Sequence, residues 1–220
     1  MTISPQISRP ETGLSPELGP PTTRLPRNLR RQQLVASAAR VFASQGYHAS
    51  TMDQVAAVAQ VTKPVLYQHF TGKRDLYLQV LDVELELLIE QLVAPLYGEK
   101  TNKERVRGVI SAFFTFARTN VAGYRLIFES DIRHDYAVQE RVEQVHAQMA
   151  QQIAQVLAPN AGMPYQQALM TARMLSGMVL SATSSLLATS EPSAQQVEEA
   201  ERLAFRLAWG GISIIDEDWE

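Results

Sequence analysis

Lys63, Tyr67, Gln68 and His69 fall within seven consecutive residues and offer an ammonium, a phenol, an amide and an imidazole. Their donors suit phosphate oxygens and the edges of base pairs. Lys63 and Tyr67 are four residues apart, so a helix puts them on one face. From the first turn of such a helix Lys63 can reach guanine O6 and N7 or a phosphate, while Pro64 and Val65 can touch a thymine methyl. His69 and Lys73 would flank the groove and meet the backbone. Thr51 and Thr62 stand where helix N-termini would present hydroxyls and free N–H groups to phosphates. A core role competes with phosphate contact for Tyr67, and a packing role competes for His69.

These residues need a scaffold. Leu34, Val35, Ala38, Val41 and Phe42 recur at helical spacing, which predicts a first helix over roughly 28–45 that Gly46 stops. Thr51, with Gln54 three residues on, has the form of a capping box at the start of a second helix. After the turn Ala59-Gln60-Val61, Thr62 is expected to cap a third helix. Pro64 lies in its first turn, where a missing N–H costs nothing. Leu66 and Phe70 would face inward. Two short helices joined by a tight turn are the minimal device for lodging a helix in a major groove. Just upstream, Arg27, Arg30 and Arg31 could lie along phosphates or enter a minor groove. Residues 1–23, rich in Pro, Ser, Thr and Gly, read as a disordered tail. Residues 24–78 carry eight Lys and Arg against two Asp, a net of +6 within a chain of net charge -3. That asymmetry reads as a polyanion-binding face on an acidic body, with ordinary surface charge as the alternative.

The predicted organisation is all-α. The tail covers 1–23, a helix-turn-helix unit 24–72 and a helical body 73–220. A fourth helix should run from Lys73 to about Val93, ended by Pro95. Further helices are expected near 102–119, 122–129, 134–157, 164–188 and 193–209, punctuated by Gly123, Pro159, Gly162, Pro164 and Pro192. Ser176, Gly177, Ser181 and Ala182 stand among Leu and Met on the 164–188 helix. Small residues let helices approach closely, so the C-terminal helices are expected to pair in a homodimer as a four-helix bundle. Packing within one chain is the competing reading. A dimer carries two reading helices, which predicts a near-palindromic duplex site.

The body holds Phe113, Phe116, Tyr124, Phe128, Met149, Met170, Met174, Met178 and Trp209. Methionine adapts to irregular apolar space. These nine are the candidate lining of a site for a hydrophobic effector, with a filled core as the ordinary alternative. Arg118, Arg125 and Arg133 are candidates for the phosphates of a headgroup, against surface salt bridges. Cysteine is absent, which excludes disulfides, thiolate zinc sites and cysteine nucleophiles. Glu143-x-x-His146 is a single copy of a di-iron motif that needs a second copy, so neither an enzyme nor a metal site is expected. No cofactor is expected. No apolar run reaches membrane-spanning length, which predicts a cytoplasmic protein.

The run Ala38-Ala39-Arg40-Val41-Phe42-Ala43-Ser44-Gln45-Gly46-Tyr47, then Thr51 to Ala59, then Tyr67-Gln68-His69-Phe70 with Lys73 and Leu76, resembles the tetracycline-repressor family of bacterial regulators. The motifs cover about a quarter of the chain. Within the family, Gly46-Tyr47-His48, Lys63 to Phe70, Gly123 to Glu129 and Ala208-Trp209-Gly210-Gly211 look like actinobacterial regulators of fatty-acid synthase genes. The resemblance implies a homodimer that binds operators of lipid-synthesis genes and releases them when long-chain acyl-CoA binds. A repressor sensing another hydrophobic molecule, such as a drug, and controlling efflux or catabolic genes is the alternative. Two residues depart from the family pattern: Gln60 stands at the usual turn glycine, and Pro64 where many members have glycine.

Overall fold

The computed structural model describes residues 25–98, 100–188 and 192–215. The expected tail over 1–23 lies outside them. Among the described residues the chain is helical with no strand. The elements are α1 (Arg27–Ala49), α2 (Met52–Val58), α3 (Lys63–Tyr67), α4 (Lys73–Val93), a 3-10 turn (Ala94–Leu96), α5 (Asn102–Thr119), α6 (Val121–Phe128), α7 (Tyr136–Asn160), α8 (Tyr165–Leu187) and α9 (Ala194–Ile215).

Helices α1 to α3 form a compact head around Leu34, Ala38, Phe42, Val55, Leu66 and Phe70, all buried. Thr51 and Gln54 make the capping box in full: the Thr51 hydroxyl accepts from the Gln54 N–H, and the Gln54 side chain accepts from the Thr51 N–H. Thr62 occupies the N-cap position of α3, but its hydroxyl makes no capping bond, contrary to expectation. Pro64 has no N–H to offer, and the Val65 N–H is taken by the Thr62 carbonyl at 3.0 Å. Gln60 adopts the left-handed conformation (φ 55) that the turn demands. A side chain there costs on the order of 1 kcal/mol, which the surrounding packing absorbs.

Helix α4 belongs to both halves. Leu76, Tyr77, Val80 and Leu81 bury against the head, and Leu85, Leu88 and Leu92 continue the same core into the body. In the body α7 and α8 form a long hairpin, with α5 and α9 packed beside it. Three ends run past the predicted stops. α7 continues through Pro159, forgoing the bond that an N–H there would give the Gln155 carbonyl, and ends at Asn160. α9 passes Gly210 and Gly211 to Ile215, since Ile212 buries in a second small cluster with Ala154, Leu157 and Ala168. α1 likewise passes Gly46, kinking there (φ 79) and adding one further turn.

A polar seam joins head to body just beyond that kink. The Asp131 carboxylate accepts the Tyr47 N–H at 2.8 Å and the His48 N–H at 3.0 Å. Burial opposes its ionisation, but the His48 and Tyr47 N–H groups outweigh that and hold its pKa below the ordinary carboxylate value. A Cβ on residue 46 would come within 2.8 Å of an Asp131 oxygen, so glycine is required by both conformation and space. Arg74 grips Asp135 through two bonds of 2.8 Å. The Tyr77 hydroxyl shares a 2.6 Å bond with Ser130.

Candidate nucleic-acid interface and effector cavity

The outward face of α2 and α3 carries Thr51, Asp53, Thr62, Lys63, Pro64, Tyr67 and Gln68, all exposed. Tyr67 is 47% exposed, so the buried alternative does not hold for it. His69 is half-buried at the end of this face. Its pKa is lowered, first by desolvation and then by Arg27, Arg31 and Arg30, which gathers the α1 arginines around one flank of the reading unit. Arg27 is exposed, and among the described residues the Arg30 side chain bonds only its helix neighbour Gln33, at 2.8 Å.

Arg31 and Lys73 correct the expectation of phosphate contact. The Arg31 guanidinium donates to the His69 carbonyl at 2.7 Å and to Gln79 Oε1 at 2.8 Å, and lies 4.5 Å over the Phe70 ring. It staples α1 to α3 and α4. The Lys73 ammonium donates to the carbonyls of Tyr47 at 2.8 Å and Ser50 at 2.9 Å, and sits 4.3 Å over the Tyr47 ring. It satisfies carbonyls left open where α1 ends, which is a helix-terminus role. Phosphates would have to compete with these internal partners. At the other flank Lys63 meets Asp53 at 2.9 Å. The hydrogen bond that the ammonium donates to that carboxylate raises the Lys63 pKa.

The body encloses a cavity of about 580 Å³ with an overwhelmingly apolar wall. It runs along α5 from Asn102 to Phe113 and along α7 from Glu143 to Leu157. At 1.5 Å rise per residue these spans are about 16 and 21 Å. Its volume falls in the range of small-molecule sites. Of the nine expected lining residues, Phe113, Phe128 and Met149 are on the wall. Phe116 and Tyr124 are buried in core packing behind it, with the Tyr124 hydroxyl 2.9 Å from Ser184. Met178 and Trp209 pack half-buried against the core. Met170 and Met174 point the other way, each 62% exposed on the outer side of α8. The helical phase sets them opposite Ala168, Ala172 and Val179, which bury.

The polar wall residues include Arg105, Arg173, Glu143 and His146, none of them expected. Arg105 is spent on the carbonyls of Leu96 (3.0 Å) and Gly98 (3.2 Å) and on Asn102 Oδ1 (2.9 Å). Arg173 is exposed and makes no hydrogen bond or ion pair among the described residues. His146 is exposed and borders the cavity. It stacks on Phe128 with centroids 6.0 Å apart, and desolvation lowers its pKa against the opposing pull of Glu143. The headgroup candidates lie elsewhere: Arg118 and Arg133 are exposed, and Arg125 faces Glu129 at 3.8 Å. No cluster that could hold a metal ion occurs among the described residues, and no helix there is long and apolar enough to cross a membrane.

The outer sides of α8 and α9 leave Met170, Met174, Leu203, Leu207 and Ile214 exposed. Such an apolar stripe on adjacent helices marks an interaction surface.

Comparison with known proteins ties the two regions together. Residues 34–80 match the family described as "Bacterial regulatory proteins, tetR family". The chain is 35% identical over 190 residues to the HTH-type transcriptional activator FasR of Mycolicibacterium smegmatis, covering 86% of each. A TetR-like transcriptional regulator from Rhodococcus sp. RHA1 superposes with a TM-score of 0.71 at 24% identity, over 86% of this chain and 99% of that one. The transcriptional regulator FadR from Bacillus subtilis, solved in complex with stearoyl-CoA, gives 0.68 at 16% identity over 82% and 98%.

Proposed function

The chain belongs to the tetR family of bacterial regulatory proteins and is a transcriptional regulator; from that premise we propose that it binds near-palindromic operators of fatty-acid synthesis genes as a homodimer and leaves them when long-chain acyl-CoA fills the body. The observation that carries the reading is the apolar cavity that follows α5 and α7. Each methylene buried there gains about 0.8 kcal/mol, so a single alkyl chain lying along α5 and α7 gains steadily with length. Arg173, an exposed wall cation not spent on another described residue, would meet the anionic headgroup. The FasR likeness and the stearoyl-CoA held by a relative of the same fold support this choice of ligand.

On the DNA side, Thr51, Thr62, Lys63, Pro64 and Tyr67 would enter or flank the groove, with Arg27, Arg30 and His69 along the phosphates. One such head offers too small a surface for high specificity, and the stripe on α8 and α9 would pair two copies. Ligand acts by binding one arrangement of α4 and the head more tightly than the other, since equal affinity would shift nothing. Helix α4 reaches from the head to the cavity wall at Leu88 and Leu92.

The test is duplex binding at fixed salt, using a site that the protein selects from a random pool, titrated with palmitoyl-CoA and with free palmitate. Release by the thioester alone is expected. Binding that is indifferent to both would remove acyl-CoA as effector and leave the DNA-binding reading standing. Met174→Glu, on the exposed stripe, should yield monomers in sedimentation and weaken duplex binding.

A further inference from the structure

The reading unit has an unusual charge economy. From Thr51 to Phe70 the formal charges are Asp53 and Lys63, and these two are paired with each other at 2.9 Å. A second contact from the same ammonium to the other Asp53 oxygen measures 3.0 Å. Both remain open to solvent, with side chains 49% (Lys63) and 67% (Asp53) exposed. The surface destined to meet a polyanion therefore brings no net formal charge of its own. The cations that can neutralise phosphate stand on α1 instead, at Arg27 and Arg30 beside His69.

A carboxylate on a DNA-facing surface repels phosphate, so its presence calls for a compensating role. A free lysine on a flexible four-carbon stem behaves as a point charge and collapses on the nearest phosphate, a contact that carries no sequence information. Asp53 sits at the start of α2 and Lys63 is the first residue of α3. The carboxylate thus holds the ammonium between the two helices, at the entry to the reading helix. As an isolated surface ion pair this link is worth little for stability. Its effect on which partner Lys63 can choose is larger.

We propose that Asp53 is a positioning residue that keeps Lys63 off the phosphates and presents it to a base edge, so that the pair sets the discrimination between operator and random DNA. The inference rests on the DNA-binding reading above. Lys63 held in this way donates to an acceptor-rich base edge such as guanine, and the Asp53 carboxylate can accept from a cytosine or adenine amino group alongside it.

The experiment compares the full-length protein with Asp53→Asn, Lys63→Met and the double variant, on a wild-type-selected duplex and on a random-sequence duplex, across a salt series. Asp53→Asn is expected to tighten random-DNA binding, to steepen its log–log salt slope by about one as Lys63 gains a phosphate, and to lower the operator-to-random ratio about tenfold. These changes should vanish in the Lys63→Met background. A ratio and slope unchanged by Asp53→Asn, or changed equally without Lys63, overturn the proposal while leaving DNA binding intact. Wild-type protein that selects no sequence and binds no duplex at low salt overturns the DNA-binding reading and this inference with it. Circular dichroism and the melting temperature of each variant separate a folding defect from a change in contact. If Asp53→Asn is destabilised, Asp53→Glu, which keeps the charge, should restore the wild-type ratio.

Discussion

The head and the body of this molecule treat apolar space in opposite ways. In the head, Leu34, Val55, Leu66 and Phe70 close on one another and are almost wholly buried. In the body, residues of the same kinds stand back around about 580 Å³ of unfilled space. A filled core fixes one geometry, which a reading helix needs to keep register with a groove. A core with room in it gains free energy from whatever fills it, and so can be biased by a ligand. The two share α4, so filling one can act on the placement of the other.

The sharpest way to break the comparison is to open the head. Phe70→Ala should cost about 3–5 kcal/mol, since a large ring leaves a void among neighbours that relax only partly. Calorimetry should show the loss. Duplex binding should disappear well before the body melts, because Arg31 loses the ring under its guanidinium and α3 loses its anchor.

The next test adds volume instead. Ala56 in the head and Ala150 in the body are both buried, but only Ala150 borders the cavity. Ala56→Leu should destabilise by about 1–3 kcal/mol through overpacking. Ala150→Leu should leave the melting temperature unchanged or higher, because the added methylenes enter free space. It should also abolish the response of duplex binding to palmitoyl-CoA. Equal destabilisation by both would mean that the body is as tightly filled as the head.

A third substitution sharpens the polar side of the contrast. Arg173→Gln removes the wall cation that is not spent on another described residue. Palmitoyl-CoA affinity should fall about tenfold, the worth of one charge-assisted contact, while binding of hexadecanol stays as it was. A uniform loss for both ligands would place Arg173 in packing rather than recognition.

The two regions also differed in how much of them could be read from sequence. The head announces itself locally. Thr51 and Gln54 form a box three residues wide, Pro64 marks a first turn, and Leu66 and Phe70 are spaced to share a face. Each of these signals is complete within one helix. The cavity is not a local property. Phe113 and Phe116 are the same residue type on one helix and both are buried, yet only Phe113 reaches the cavity wall. Met149 and Met170 read alike in a sequence, but one lines the wall and the other is exposed on α8. Whether a buried face meets a neighbour or a void depends on how several helices settle together, which periodicity does not encode. Arg31 and Lys73 read as phosphate contacts for a related reason. Their partners include the carbonyls of His69, Tyr47 and Ser50, which are uncharged and distant along the chain, and a charge pattern cannot point to a carbonyl.

The smallest expected effect comes from protonating the body. Desolvation lowers the His146 pKa, with Phe128 stacked on its ring and Glu143 working the other way. The folded protein thus prefers the neutral imidazole. In the unfolded chain the same group takes up its proton at about pH 6.5. Stability tied to His146 is therefore fully present above that value and is lost as pH falls below it toward the lower folded pKa, where the loss levels off. His69, also lowered, contributes with the same sign from the head. Melting temperatures recorded from pH 7.5 downward should decline, and His146→Gln should flatten part of that decline while His69→Gln flattens another part. A bound acyl chain excludes water from the cavity and deepens the desolvation, so the His146 share should grow in the presence of palmitoyl-CoA and the His69 share should not. If ligand steepens both shares equally, the chain is not lodged beside His146.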